Sequence, residues 1–443
     1  MTLPLELPVT TSVRPSACPG LLRIVAALDG GICRVKLDGG SITARQARAV
    51  ADVAQRYASG VIEATNRANL QIRGVGPRQR ELIEPLLAVG LGPATAAGDD
   101  VRNLMLSPTA GIDPQMQFDT RPLARQILAS LQSTARFAEL SAKFAVQLDG
   151  GEALAMLEHP HDLWLSAFEH NGQTLLAFGL AGCPGHDRAL AAVPVEHGHA
   201  LVLAVLTLFL DLARPEHTRM RHLLKEVALA DFMAQLAQRL SVPLMVLAQW
   251  RREGTDGLRH IGTYPQIEQG RVHIGAVPAL GRLDAATLAG LAQLAETFGD
   301  GTLRFTPWQS VLLPNVQAQA ALTVTRQLEA LGLLCDVQTP LAHLLACTGS
   351  SACAKGLADT KQDARQLAAV LQQPHNIHLT GCLRSCAAAH VAPVTLLAVA
   401  PGHYDLYLRA PEQPGFGVLR ERNLTIEAAS AWFEARQWSN TDD

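Results

Sequence analysis

The chain carries one sequence pattern twice, in residues 34–74 and again, 241 residues later, in residues 273–315. At this offset Gly60 and Thr65 of the first copy fall on a glycine and a threonine of the second. Internal repetition at this length constrains the fold more than any composition does. A shared rhythm of helices and strands would not preserve these positions, so the pattern indicates an ancient duplication.

Each copy predicts a short β segment, an amphipathic helix and, after a Gly-containing turn, a strand over 61–72 or 302–313. The helical spacing is clearest in the first copy, at Ala47, Val50, Ala51 and Ala54. One such β-α-β unit cannot bury its sheet face alone. The two copies are therefore expected to pair about a pseudo-two-fold axis. The duplication also extends further, since 101–113 and 143–151 align with the segments around 346–353 and 376–386.

Composition describes a globular chain of 443 residues, 48% hydrophobic, which is long enough for two to four domains. A net charge of −3 argues against a general nucleic-acid binder. No basic segment followed by an apolar run opens the chain, and the longest apolar run, 200–210, is short for a membrane span. We expect a cytoplasmic protein without membrane or nucleic-acid partners, in which persistent disulfides are uncommon.

The main chemical signal is a cluster of thiols. Of eight cysteines, four are scattered, and buried structural thiols are the ordinary interpretation of Cys18, Cys33, Cys183 and Cys335. The others form two close pairs, Cys347 with Cys353 and Cys382 with Cys386, separated by a predicted helix over 359–372. Small residues around them leave room for an inorganic cluster and supply backbone N–H groups. Zinc sites more often have two-residue spacings in both pairs, so an iron–sulfur cluster is favoured over zinc, disulfides or unrelated thiols.

The motif Cys347-x5-Cys353 … Cys382-x3-Cys386, together with the duplicated segment, resembles the sulfite and nitrite reductase superfamily. TNRANLQIRG and TPWQSVLLPN end the two copies as in that family. The resemblance implies a 4Fe–4S cluster held by the four cysteines, the last of which also bridges to the iron of siroheme in the reductases.

The resemblance implies an α+β fold class in which duplicated ferredoxin-like half-domains form one domain. Two further α/β domains, related by a pseudo-two-fold axis, bind the cluster and the tetrapyrrole. The expected boundaries are a first half-domain at 18–80, a tetrapyrrole-binding domain with a helical insert at 81–258, a second half-domain at 259–320 and a cluster domain at 321–443.

Basic side chains are the second functional feature that the resemblance implies. Arg67, Arg102 and Lys143 match three positions at which the reductases bind a small anion, and they are the candidate catalytic residues. A second lysine is expected two residues after Lys143, where this chain has Ala145. The same three side chains, with Asn69, Gln71 and Arg73 alternating along the predicted strand, are the candidates for binding substrate carboxylates.

Within the superfamily, GAVPALGRLDAATL, LRFTPWQSVLLPN and the compact length are most similar to the precorrin-3B synthase branch. That similarity implies oxygen-dependent monooxygenation of precorrin-3A in aerobic cobalamin biosynthesis, with hydroxylation at C20 and closure of a γ-lactone. Its partners would be the tetrapyrrole, dioxygen and a separate electron donor. The alternatives are a siroheme-dependent assimilatory sulfite or nitrite reductase and a cluster-bearing protein that handles a tetrapyrrole without converting it.

The resemblance also implies a mononuclear non-haem iron, whose ligands the sequence does not identify. Six histidines are available: His159, His161, His186, His375, His378 and His390. No two-histidine, one-carboxylate spacing stands out among them. An iron bound by the tetrapyrrole is the other possibility.

Overall fold

The computed structural model describes residues 18–95, 97–247, 249–389, 392–410, 413 and 415–435. It divides into two compact units. The first unit comprises Val25 with the described residues before it, Arg34–Gly39 and Leu86–Asp256. The second unit comprises Ala26–Cys33, Gly40–Pro85 and the described residues from Gly257 onward.

The structure assigns the following elements to the two halves of the chain. The first half contains β1 (Val25–Ala27), β2 (Gly30–Val35), β3 (Ser41–Thr43), α1 (Ala44–Tyr57), β4 (Val61–Ala64), β5 (Leu70–Val75), α2 (Gln79–Ala88), α3 (Gly98–Val101), β6 (Leu104–Leu106), α4 (Arg121–Ser133), β7 (Val146–Asp149), β8 (His161–His170), β9 (Gln173–Gly182), β10 (Ala191–Pro194), α5 (Gly198–Leu212), α6 (Met220–Leu223) and α7 (Leu229–Ala237). The second half contains β11 (Gly262–Pro265), β12 (Arg271–Pro278), β13 (Arg282–Asp284), α8 (Ala285–Phe298), β14 (Thr302–Phe305), β15 (Val311–Gln317), α9 (Ala321–Ala330), β16 (Leu333–Leu334), β17 (Leu344–Ala346), α10 (Thr360–Val370), β18 (Ile377–Thr380), β19 (Val394–Ala400), β20 (His403–Leu408), β21 (Val418–Leu424) and α11 (Ile426–Glu434).

The repeated segments form two sheets that exchange a strand. Their orders are β1-β2-β5-β4-β13 and β11-β12-β15-β14-β3. The short strand before each helix pairs antiparallel with the other copy, β13 with β4 and β3 with β14. The predicted pairing of the two copies is confirmed, and the exchange makes each sheet depend on both halves of the chain.

The helices of the two copies begin and end at equivalent positions. Thr43 caps α1 by accepting a hydrogen bond from the Gln46 backbone N–H, and Asp284 caps α8 by accepting one from Thr287. Such caps stabilise a helix by about 1 kcal/mol. The predicted apolar faces are buried, and α1 packs against α8. The caps explain why both helices begin directly after the exchanged strand.

The prediction of one continuous strand over 61–72 is wrong, because β4 and β5 form a hairpin. Thr65 turns the chain, its hydroxyl accepting hydrogen bonds from the backbone N–H groups of Arg67 and Asn69. Ala68 takes a left-handed conformation, with φ 54°. The second copy repeats this turn between β14 and β15, where Gln309 has φ 62°. Both turns lack glycine at the left-handed position, which removes the usual sequence signal.

Each unit contains one more sheet, and the two have the same connectivity. In the first unit β6, β7 and β8 are parallel, and β9 and β10 continue antiparallel. In the second unit β17, β18 and β19 are parallel, and β20 and β21 continue antiparallel. The same topology supports duplication beyond the repeat itself.

Helices cover one face of each of these sheets. The first unit buries Leu201, Val205 and Phe209 of α5 completely, at roughly 1.5–3 kcal/mol for each side chain. The stretch Val195–Leu212 is apolar enough to cross a membrane by length and composition, but its apolar residues belong to this core. In the second unit α10 and α11 contribute to the core below β17–β21.

Candidate functional site

The four paired cysteines converge because they follow adjacent parallel strands. Cys347 comes directly after β17, and Cys382 comes two residues after β18. These strands pair in parallel, with Ala346 opposite Leu379. Their carboxyl ends therefore meet at one sheet edge, and the loops that continue from them share the same space. The predicted helix between the pairs is confirmed as α10.

Glycines allow the two loops to approach closely. A Cβ on Gly349, whose φ is +71°, would lie 2.6 Å from the Ala358 carbonyl oxygen. A Cβ on Gly356 would lie 2.6 Å from the backbone of Gly349, and one on Gly381 would lie 3.1 Å from Gly356. Any larger residue at Gly349 or Gly356 would distort the first loop, which carries Cys347 and Cys353, and a larger residue at Gly381 would press the second loop against the first.

The first thiol accepts a hydrogen bond from the backbone. The Gly381 N–H donates to Cys347 Sγ at 3.2 Å. Thr360 Oγ1 lies 3.5 Å from the same sulfur and donates to the Cys347 carbonyl oxygen at 2.7 Å. Cys353 and Cys386 are exposed. Although the Cys386 residue is exposed at the surface, its thiol is partly desolvated by its neighbours, which raises its pKa, and the nearby Cys347, Cys382 and Cys353 raise the pKa further. The four sulfurs thus share one electrostatic environment, in which cations would stabilise their thiolates.

The geometry distinguishes between the kinds of metal centre. None of the eight cysteines, all of which lie in the described part of the chain, forms a disulfide in this structure. Among the described residues, no group of three or more His, Cys, Asp or Glu side chains is arranged to hold a metal ion. A zinc site would need four sulfurs about 2.3 Å from a common point. Four thiols on two glycine-containing loops, with the Gly381 backbone N–H donating to the Cys347 sulfur, fit the larger iron–sulfur cluster better.

The two hairpin turns hold the loop that carries Cys386. Asn66 Nδ2 donates to the Cys386 carbonyl oxygen at 3.3 Å. Gln309 Nε2, which is buried, donates to the Ala387 carbonyl oxygen at 2.8 Å. Arg67 lies next to Asn66 in the same turn, so the structure places it at a turn beside the cysteines rather than on a strand.

Replacing Gln309 with alanine is expected to loosen this loop, because it leaves the buried Ala387 carbonyl without its donor. Such a loss costs about 1–3 kcal/mol. Iron should pass from the loaded protein to an external chelator several-fold faster than in the wild type. Gln293→Ala, at an exposed position of α8, is the matched control. Equal rates of iron transfer in the wild type and both variants would show that the hydrogen bond from Gln309 does not hold this loop in place.

The polar face of the β4–β5 hairpin is occupied by an ionic network. Asn69 is 8% exposed, and Gln71 pairs across the hairpin with Glu63. Arg73 is 4% exposed, and its Nε and Nη2 donate to Asp29 at 2.8 and 2.9 Å. Because the Arg73 guanidinium also contacts Glu63 at 3.5 Å, its hydrogen bonds go to carboxylates of the protein itself, and its role in substrate binding stays a prediction.

Glu63 keeps its charge although it is buried. Burial alone would raise the pKa of this carboxyl, but Lys361, Arg73 and Arg282 together hold it below its ordinary value. Arg282 Nη2 lies 2.7 Å from Glu63 Oε1. Sequence reasoning missed this residue.

In the first unit, Arg102 lies beside a second buried cation that sequence reasoning also missed. Arg102 is 7% exposed, donates to the Leu91 carbonyl oxygen and approaches Asp38 at 3.8 Å. Its buried Nε has no partner among the described residues. Lys36, 5% exposed, donates from Nζ to the Asp100 carbonyl oxygen at 2.9 Å. Burial lowers the pKa of Lys36 to about 7, and the positive charges of Arg34 and Arg102 contribute.

Lys143 and Ala145 precede β7 in the same unit. Lys143 is exposed, whereas Ala145 is 5% exposed and its backbone N–H donates to Asp162 Oδ2 at 2.9 Å. Asp162 is in turn paired with Arg219. The position at which the reductases were expected to carry a second lysine is thus a buried alanine against a paired carboxylate.

Among the histidines that the structure describes, none belongs to a group of three or more side chains arranged to hold a metal ion. His159 and His161 are buried with ring centroids 4.9 Å apart, and His375 stacks on Phe433. His186 is exposed and His378 lies within β18, while His390 lies outside the described residues. The mononuclear iron remains a prediction.

Comparison with known families agrees with this architecture. The family described as "Nitrite/Sulfite reductase ferredoxin-like half domain" matches this chain at residues 27–89 and 264–331. "Nitrite and sulphite reductase 4Fe-4S domain" matches residues 97–244. A ferredoxin–nitrite reductase of Synechococcus elongatus is 30% identical over 394 residues, which cover 83% of this chain and 76% of that protein. The chain belongs to the nitrite and sulphite reductase family.

Other family members differ in how much of their length is shared. The chloroplastic ferredoxin–nitrite reductase of Arabidopsis thaliana is 31% identical, with 82% of this chain and 66% of that protein covered. A Sinorhizobium protein named precorrin-3B synthase is 26% identical, with 89% of this chain and 83% of that protein covered. The NirA protein of Mycobacterium tuberculosis superposes with a TM-score of 0.77 at 20% identity, covering 93% of this chain and 82% of that one. This last likeness concerns the fold alone and confirms the expected fold class.

The segment that matches the 4Fe–4S domain and the four paired cysteines lie in different copies of the duplication. Residues 97–244 contain only Cys183, and the Cys347–Cys386 loops follow the equivalent strands of the second copy. Membership of an oxidoreductase family with a 4Fe–4S domain supports an iron–sulfur cluster, and the free thiols of the second copy are the residues that could hold it.

Proposed function

We propose that this protein is a monooxygenase that converts precorrin-3A to precorrin-3B with dioxygen, in the cytoplasm. One oxygen atom of dioxygen would enter the substrate as the C20 hydroxyl while the ring-A acetate closes a γ-lactone. The other atom would leave as water, with two electrons and two protons from a separate donor. Cys347, Cys353, Cys382 and Cys386 would hold the 4Fe–4S cluster, which supplies electron transfer when bound.

The observation that carries this proposal is Ala145. A small anion such as sulfite needs its charge neutralised at close range, and the expected second lysine is replaced by a buried methyl group. The basic groups that remain, including Arg102 and Lys36, are suited to the carboxylates of a large substrate. The Sinorhizobium precorrin-3B synthase, whose similarity covers 89% of this chain and 83% of that protein, adds support.

The basic and polar residues would make different contacts with the substrate, according to their positions in the structure. Arg102, Lys36 and Lys143 would bind substrate carboxylates in the first unit, through charge-assisted hydrogen bonds. Arg67, in the turn beside the cysteines, would bind or orient the substrate near the cluster, with Asn69 and Gln71 of the same hairpin as polar contacts. The mononuclear iron that the resemblance implied is not needed to assign these contacts.

A siroheme-dependent reductase is the second candidate, because the nitrite reductase relatives are more identical in sequence than the precorrin-3B synthase relative. The two functions are separated by protein purified without air and extracted with acidic acetone. We expect iron and acid-labile sulfide without siroheme. The protein should also convert precorrin-3A, given dioxygen and reductant, to a product one oxygen atom heavier. Stoichiometric siroheme with nitrite or sulfite reduction would overturn the proposal.

A further inference from the structure

Buried charges bracket Cys347 on both sides. Lys361 is 5% exposed, and its Nζ donates to the carbonyl oxygens of Ala346, at 3.1 Å, and Leu280, at 2.7 Å. Ala346 directly precedes the cysteine. On its other side Thr348 Oγ1 lies 3.4 Å from Glu63 Oε2. The residues before and after Cys347 are therefore each tied to a buried charged side chain.

These side chains belong to one network in the second unit. Lys361 Nζ lies 3.8 Å from Glu63 Oε1, and Glu63 is also paired with Arg282 and Arg73. Arg73 in turn holds Asp29. Three cations and two carboxylates leave one net positive charge, and Glu63, Arg73 and Lys361 are all less than 9% exposed. Water screens such buried charges poorly, so their field extends to the neighbouring thiols.

We propose that this network sets the reduction potential of the cluster, with Glu63 and Lys361 as positioning residues that act through Cys347. The inference rests on the proposed function in one respect, that Cys347 ligates an iron–sulfur cluster. Four thiolates make the centre anionic, and reduction adds one more negative charge. A buried cation favours the reduced form and a buried carboxylate opposes it, since the potential depends on net charge and hydrogen bonding around the cluster.

The proposal is tested by the direction in which each substitution shifts the reduction potential of the cluster. Glu63→Gln should shift the midpoint potential of the cluster upward, and Lys361→Met should shift it downward. The double variant should return toward the wild type. The potentials are measured on the loaded full-length protein by a redox titration followed by electron paramagnetic resonance. Glu296→Gln, which removes a carboxylate from an exposed ion pair with Arg48, should leave the potential unchanged.

A second cation variant guards against poor folding of Lys361→Met. Arg282→Gln removes a side chain that is 30% exposed and should also shift the potential downward. Shifts of one common sign in the carboxylate and cation variants, or no shift in either, would overturn the inference while the cluster assignment stands. A wild-type protein that binds no cluster would overturn the cluster assignment and this inference together.

Discussion

Replacing Cys386 with serine is expected to abolish assembly of the iron–sulfur cluster while leaving the fold intact. The residue is exposed, so replacing its sulfur with the hydroxyl of serine costs little packing. Its loop is anchored through the backbone, by Asn66 on the Cys386 carbonyl oxygen and by Gln309 one residue later. Serine keeps both contacts and removes only the thiolate. Iron bound after anaerobic reconstitution should fall from about four atoms per chain to less than about one-tenth of that.

The measurement combines iron and sulfide analysis with the visible absorbance of the reconstituted protein and its thermal unfolding. Cys335→Ser is the matched control. Burial raises the pKa of the Cys335 thiol to about 12, so this cysteine stays protonated at neutral pH and is unsuited to bind iron. Full iron content in Cys386→Ser, or loss of iron in both variants, would remove Cys386 from the proposed ligand set.

The two loops that carry the paired cysteines could be predicted from sequence, because the residues that mark them lie close together in the chain. Two close cysteine pairs, small neighbours and an amphipathic helix between them lie within about forty residues, and the strands that bring them together are short apolar runs. The same holds for α1 and α8, because the sequence shows both their capping residues and the helical spacing of their apolar residues. Fold class and duplication follow from these local patterns.

The hairpin turns and the charge network could not be predicted in the same way. Ala68 and Gln309 adopt left-handed conformations that neither residue type signals, so two strands looked like one. Glu63 acquires its partners from residues that lie far apart in the chain, Arg73, Arg282 and Lys361. Side chains that look solvated in sequence become buried only when the two copies exchange strands.

The burial and the partner of Lys36 could not be predicted from local sequence either, since the Asp100 carbonyl oxygen to which it donates lies 64 residues away. The one available signal was the alternation of Arg34 and Lys36, a few residues before Gly39 and Gly40. Two cations on one face of a strand that leads into a tight turn are a plausible anion site. Alone, they are as typical of a solvated edge.

Replacing Lys36 with methionine is expected to weaken tetrapyrrole binding and to change the pH dependence of stability. Burial lowers the pKa of Lys36 from 10.5 to about 7 in the folded protein. Between these values the unfolded chain holds a proton that the folded chain lacks, so the free energy of unfolding rises with pH. The wild type should gain about 2 kcal/mol from this group between pH 7 and pH 9. The Lys36→Met variant should lack that gain and should be relatively more stable at pH 6, where the buried lysine is charged.

Binding should show the opposite preference, because a substrate carboxylate needs the protonated lysine. Anaerobic absorbance titration with precorrin-3A should give wild-type affinity that weakens as the pH rises above about 7. Affinity in Lys36→Met should be roughly ten- to a hundredfold lower at pH 6, the value of a charged hydrogen bond, and should lack this pH dependence. Lys225→Met, at an exposed position of the first unit, is the control for both measurements. If the variant gains stability at pH 6 and keeps wild-type affinity, Lys36 is a buried structural lysine and the carboxylates bind elsewhere.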